Sequence, residues 1–145
     1  MGDEEVVRRA VRDDLTHFVC DANGALLRLG QSAFNDPDKQ PSVDRAVLQP
    51  EGAQAARRAD TDGVISMVAR DIRNIAGVTT FNEKGKVVHT HEVDVRHDPL
   101  DNNHAHALVA AAPQIITDGT FKRLKEALCR LAQPRGFDFP PASRR

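Results

Sequence analysis

Five of the six histidines lie between His89 and His106, and histidine is the side chain that changes charge near neutral pH without help from its surroundings. The segment contains two His-x-His pairs, His89-Thr90-His91 and His104-Ala105-His106. On a strand, side chains two apart face the same way at roughly 6–7 Å. His89 and His91 could therefore share a zinc ion, with Asp101 as a third ligand and Asp98 or a further histidine as substitutes. The familiar zinc spacings are not met. There is no His-Glu-x-x-His, and the Ser-x-x-Asp that follows some metalloprotease His-x-His pairs would fall on Pro99 and Asn102. The same region admits a metal-free reading, with His104 or His106 as general acid or base. Arg28 would serve as the cationic clamp on a phosphate (Arg45, Arg70 and Arg96 are alternatives), and Ser42 would assist. Such a site suits a small hydrolase, or an RNase that works through 2′-hydroxyl attack without a cofactor. Glu92, Asp94, Asp98 and Asp101 weigh against an RNA groove here, because carboxylates repel phosphate.

Composition narrows the classes further. The chain has 145 residues, 40% of them hydrophobic. That supplies one modest core. We expect a single domain over residues 1–132 and a frayed tail over 133–145, with Phe137 and Phe139 able to fold back. The sequence contains no Trp, no Tyr and six Phe, so stacking platforms for single-stranded nucleic acid are poorly supplied. We expect Phe18, Phe34, Phe81 and Phe121 to be core anchors. The net charge of −1 argues against a general nucleic-acid or membrane-surface binder. Charge is nonetheless segregated: residues 118–145 hold seven basic and three acidic side chains, a balance of +4. This basic helix and tail could meet a phosphate or an acidic partner, or form a solvated face. Cys20 and Cys129 are too few for a disulfide framework and read as small apolar residues in a reducing compartment. Met1-Gly2-Asp3-Glu4-Glu5 is acidic and lacks the apolar run of a secretory leader, and no stretch is apolar enough to span a membrane. Together with an excess of Arg over Lys and abundant Ala, these features lead us to expect a cytoplasmic bacterial protein.

The elements that would position these residues follow from periodicity. Val6, Val7, Ala10, Val11 and Leu15 predict an N-terminal helix over 4–15 with Asp3 as its cap. Asp21-Ala22-Asn23-Gly24 predicts a tight turn between two short strands. Residues 35–50 read as a proline-punctuated loop with an extended piece at Ser42-Val43-Asp44, and residues 51–59 as a short polar helix. Val64 to Ala69 reads as a buried strand, followed by one or two helical turns from Asp71 to Ala76. Asn82-Glu83-Lys84-Gly85 should link the arms of a hairpin. Its second arm runs to Val95 and turns Val87, His89, His91, Val93 and Val95 to one side. Residues 104–112 are compatible with strand or helix. The stripe Phe121, Leu124, Leu128, Leu131 predicts a helix capped by Thr117 or Asp118 and ended by Pro134. The sum is an α+β fold: a small, mostly antiparallel sheet with an N-terminal helix and a C-terminal helix packed on it.

Three pieces, Ser32-Ala33-Phe34, Ser42-Val43-Asp44 and Asn103-His104-Ala105, give the chain a further likeness. It resembles a loosely defined group of small bacterial proteins in which Ser-x-Ala-Phe, Ser-Val-Asp and Asn-x-x-His-Ala pieces recur in this order. The present chain departs from that pattern by setting Asn directly before His. The resemblance carries no activity. It implies that Phe34, Ser42, Asp44 and His104 gather in one cleft, which adds Asp44 to the site candidates. The alternative is that these residues cap turns and fix loops. Without a recognised catalytic spacing, the leading expectation is a protein that works by binding another protein, for example one encoded by a neighbouring gene in a toxin–antitoxin or phage-defence pair. A second copy of the chain is a further possible partner. The hydrolase or RNase and the zinc enzyme stand as alternatives.

Overall fold

Val7 and Val11 stand four residues apart, a spacing that puts them on one side of a helix or of a strand alike. The computed structural model, which describes residues 1–145, resolves the ambiguity: Val6–Val11 is strand β1, not a helix. Three β-branched valines in six residues favour the extended form, and the strand is central, with a hydrogen-bonded neighbour on each side. The alternation was hidden by Arg9, which lies between the two buried valines and opposite Ile65. Asp3 caps no helix; its carbonyl accepts the Arg70 amide and its carboxylate pairs with Arg73.

The remaining elements are β2 (Phe18–Cys20), β3 (Leu26–Leu29), β4 (Ser42–Arg45), β5 (Gly63–Val68), α1 (Ala69–Arg73), β6 (Thr79–Phe81), β7 (Val87–Thr90), β8 (Glu92–His97), β9 (His106–Ala112) and α2 (Asp118–Ala132). Five strands form one sheet in the order β5-β1-β4-β9-β8, antiparallel at every pairing, while β2–β3 and β6–β7 are separate ribbons. The fold is α+β, with α2 as its one long helix. Val7, Val11, Ile65, Met67, Val95 and Val109 from the sheet share a continuous core with Phe121, Leu124 and Leu128 of α2, joined by Phe34, Ile72 and Val78. Thr117 caps α2, its hydroxyl accepting the Thr120 amide at 3.2 Å. Residues 46–59 are not an α-helix; they make two 3-10 turns, Ala46–Leu48 and Ala53–Ala56, that pack against β1.

Local turn chemistry acts as the sequence implies. Asp21 and Asn82 each accept two backbone amides across their turns, and Gly24 and Gly85 supply the positive φ that closes them. The second hairpin differs from expectation in one respect. Its outgoing arm pairs with β6 only as far as Thr90; from Glu92 the chain pairs with β9 at the edge of the main sheet. Burial follows that switch. His91, Val93 and Val95 are buried, whereas Val87 and His89, on the β6–β7 ribbon, are exposed. Phe81, on the same ribbon, is exposed rather than a core anchor, with the Arg123 guanidinium 4.9 Å from its ring centre. Residues 104–112 supply a strand, β9, whose ambiguity came from burial on both faces: His106, Ala107, Val109 and Ala110 are all covered.

The last residues are folded, not frayed. Phe139 bridges the outer edge of β5 at Val64, and the Phe18 and Phe137 rings meet edge-on at 5.3 Å. Covering a strand edge in this way removes a template for pairing with other chains. Both cysteines are free thiols. Burial pushes the Cys129 thiol up to about 11, while Cys20 is half-buried. No helix is long and apolar enough to cross a membrane.

Three outcomes follow. Leu124→Ala should lower unfolding free energy by about 2–5 kcal/mol in a denaturant titration, the cost of a cavity at a fully buried leucine. Leu15→Ala, at a side chain 80% exposed, should change it by less than about 0.5 kcal/mol. Iodoacetamide at neutral pH should alkylate Cys20 well before Cys129, read by peptide mass mapping, because the thiolate is the reacting form.

Candidate active site

Strand alternation builds the site. On β4, Val43 points into the core, so Ser42 and Asp44 share the opposite face, and His106 of β9 lies directly across from Asp44. Over this face come the 46–59 segment on one side and the loop 98–105 on the other. They leave an open cleft of about 620 Å³ lined by Ser42, Gln49, Arg57, Arg58, Asn102, Asn103, His104 and His106, among others.

Asp44 lies beneath the cleft and is 1% exposed. Its carboxylate accepts from Gln49 Nε2 at 2.9 Å, from Asn103 Nδ2 at 2.8 Å and from both terminal nitrogens of Arg58 at 3.2 Å. A buried carboxylate requires such compensation, and the forked Arg58 contact is the strong, directional kind. Asn103 also fixes its own loop, since its Oδ1 accepts the Ala105 amide.

His106 is the most constrained polar group facing the cleft. Its Nδ1 is 2.8 Å from the Asp98 carbonyl oxygen and 3.2 Å from the Asp98 carboxylate. A carbonyl can only accept, so Nδ1 carries the proton in the neutral ring. Nε2 is then left with its lone pair, and it lies 3.1 Å from Ser42 Oγ. The serine hydroxyl therefore donates to a histidine whose far side is held by Asp98. That relation of nucleophile, base and orienting acid is the one used for acyl transfer.

The other site candidates separate cleanly. His104 is exposed and lines the cleft without a hydrogen bond to Ser42. Arg28 is exposed on β3 and does not line it. Arg45 is paired with Glu5, and Arg70 with Glu4. The guanidinium beside Glu5 holds that carboxyl below its ordinary value. Phe34 is in the core, not the cleft. Of the proposed metal ligands, the His89 and His91 rings meet edge-on with centroids 5.9 Å apart, while Asp101 follows the far end of β8 and does not join them. His91 is buried with both ring nitrogens engaged, Nδ1 by the Pro113 carbonyl and Nε2 by the Thr80 hydroxyl at 2.7 Å. No cluster of three or more His, Cys, Asp and Glu side chains is placed to hold a metal ion. Sequence reasoning missed Arg57, Arg58 and Gln49, which come from a segment with no periodicity, and it gave Asp98 only a metal-ligand role.

Models of known families, characterised proteins and solved structures were all compared with the chain, and none matches. The chemistry of the cleft is therefore read from its geometry alone.

Asp44→Asn should not behave as a conservative change. All four contacts on the carboxylate are donors, so an amide nitrogen would face donors and leave them unsatisfied. A loss of about 1–3 kcal/mol is expected in denaturant unfolding, against less than about 1 kcal/mol for Ser42→Ala, which removes one half-buried hydroxyl.

Proposed function

We propose that the chain is a small serine hydrolase in which Ser42 is the nucleophile, His106 the general base and Asp98 its orienting acid. One observation carries the reading: Ser42 Oγ lies 3.1 Å from His106 Nε2, while His106 Nδ1 is committed to Asp98. Ser42 Oγ attacks the carbonyl carbon of an ester and its proton passes to His106 Nε2. The Asp98 carboxylate stabilises the resulting imidazolium. His106 then returns the proton to the leaving alkoxide, giving alcohol and acyl-Ser42. Water, deprotonated by the same nitrogen, releases the acid and restores the serine. Arg58 lines the same cleft, its guanidinium held by the Asp44 carboxylate.

This is the metal-free histidine reading, with the base at His106 rather than His104. A protein-binding role rested on the lack of a recognised catalytic spacing, the single small domain and the basic C-terminal helix. Several of those cations have internal partners: Lys125 donates to Asn35, Arg135 to Ser66 and Arg145 to the Asp62 carbonyl, while Arg123 lies over Phe81. The cleft consequently carries the stronger case.

A fluorophosphonate probe tests it, because it phosphonylates a serine only when a base activates the hydroxyl. Intact-mass and peptide mapping should place one adduct on Ser42, absent in Ser42→Ala. His106→Ala should slow labelling by about 10²-fold or more, with His106→Gln as the variant to use if Ala does not fold. His104→Ala should stay within a few-fold of wild type. A folded wild type whose Ser42 stays unmodified, or a His106 variant that labels at the wild-type rate, overturns the proposal.

A further inference from the structure

Ser42 and Arg58 also belong to the wall of a second cavity, of about 560 Å³, lined otherwise by β1 and the residues around it. We infer that this second cavity is an oxyanion-binding subsite, built by Arg9, Arg12 and His17, that takes a phosphate or carboxylate group of the molecule presented to Ser42. The inference deepens the hydrolase reading and rests on it for the role of Ser42, but not for the binding of the anion.

Three observations support it. First, Arg9 is a half-buried cation with neutral partners only. Its guanidinium donates to the carbonyl oxygens of Ala33 at 2.9 Å, Ser42 at 2.8 Å and Asn35 at 2.9 Å, and it makes no ion pair with any carboxylate. Burial lowers its ordinary value to about 10, with Asp36 opposing and Arg58 assisting that fall, so it remains charged at neutral pH. An uncompensated cation at a cavity wall favours an anion there. Second, Arg12 lines the cavity, is exposed and is held by no hydrogen bond or ion pair of its side chain, so its whole fork is free for a ligand. Third, His17 lines the same cavity and its Nδ1 is a buried polar atom with no partner. Buried polar atoms normally have one. The single carboxylate in the wall, Asp62, accepts the backbone amides of Arg58 and Ala59 on its Oδ2, both at 3.0 Å, and pairs with no cation.

Arg9 also staples β1 to the loop before β4, and its removal would disturb folding. Arg12, which holds nothing, is the residue to change. Inorganic phosphate and, separately, acetate are titrated into the full chain at low salt with amide chemical-shift changes as the readout, since exposed charges are screened at high salt. Saturable shifts at residues 9–17 and 32–35 are expected. Arg12→Gln should weaken binding by about tenfold, the worth of a charge-assisted hydrogen bond, and Arg12→Glu should abolish it, with unchanged thermal unfolding. The tighter of the two ions identifies the group as phosphate or carboxylate. In the reaction itself, a p-nitrophenyl hemisuccinate should be cleaved faster than the neutral acetate ester, and that preference should vanish in Arg12→Gln. Shifts confined to other surfaces, no saturation at tens of millimolar, or equal binding by Arg12→Glu overturns the subsite. If phosphate binds as expected while Ser42 fails to label, the anion site stands and the hydrolase reading fails. If Ser42 labels while neither ion binds, the subsite alone fails.

Discussion

The buried carboxylate of Asp44 is the constraint on which the cleft depends. A charge this well covered is tolerated only where donors surround it, and its four come from three residues on two separate stretches of chain: Gln49 and Arg58 from the segment after β4, and Asn103 from the loop before β9. Each donor drags its own backbone into place. Arg58 brings the wall of both cavities, and Asn103 brings the turn that delivers His106 onto the face already holding Ser42. The polar network thus joins the two sides of the cleft across a sheet whose other face is apolar core.

Two histidines with the same bonding pattern have different prospects because of what surrounds them. His91 and His106 each give Nδ1 to a backbone carbonyl and turn Nε2 toward a hydroxyl, of Thr80 and of Ser42 respectively. The Thr80 hydroxyl continues inward to Thr120 at the start of α2, so His91 ties the β6–β7 ribbon and the helix to the sheet. Ser42 instead lines open space. The same local chemistry is a buried rivet in one place and, in the proposed hydrolase reading, an activated hydroxyl in the other, with solvent access as the difference.

The arrangement also accounts for the charge in the chain. Most of the arginines that look free in the sequence are spoken for by carboxylates or carbonyls: Arg45 by Glu5, Arg73 by Asp3 and Asp94, Arg58 by Asp44. Arg9 and Arg12, which pair with no carboxylate, instead share the wall of the second cavity with Ser42. Near-neutral composition therefore conceals a local positive field.

Elements governed by near neighbours were legible in the sequence. The stripe and Thr117 cap of α2, the Asp21 and Asn82 turns, the apolar run of β5 and the α+β class all rest on interactions within a few residues. Ser42 and His106 stood out in the sequence as residue types able to do chemistry, and Asp44 only through the resemblance. The strand β1 was not legible, because Val7 and Val11 satisfy helical and extended spacing equally and only pairing with β4 and β5 decides between them. Nor was the split between His91 and His89, set by where the chain leaves the ribbon for the main sheet. The site itself depends on contacts far apart in sequence: Ser42 with His106, and Asp44 with Arg58 and Asn103. Those depend on sheet order, which places β4 beside β9. Periodicity records which side of a segment is buried, but it carries no record of which distant segment lies next to it.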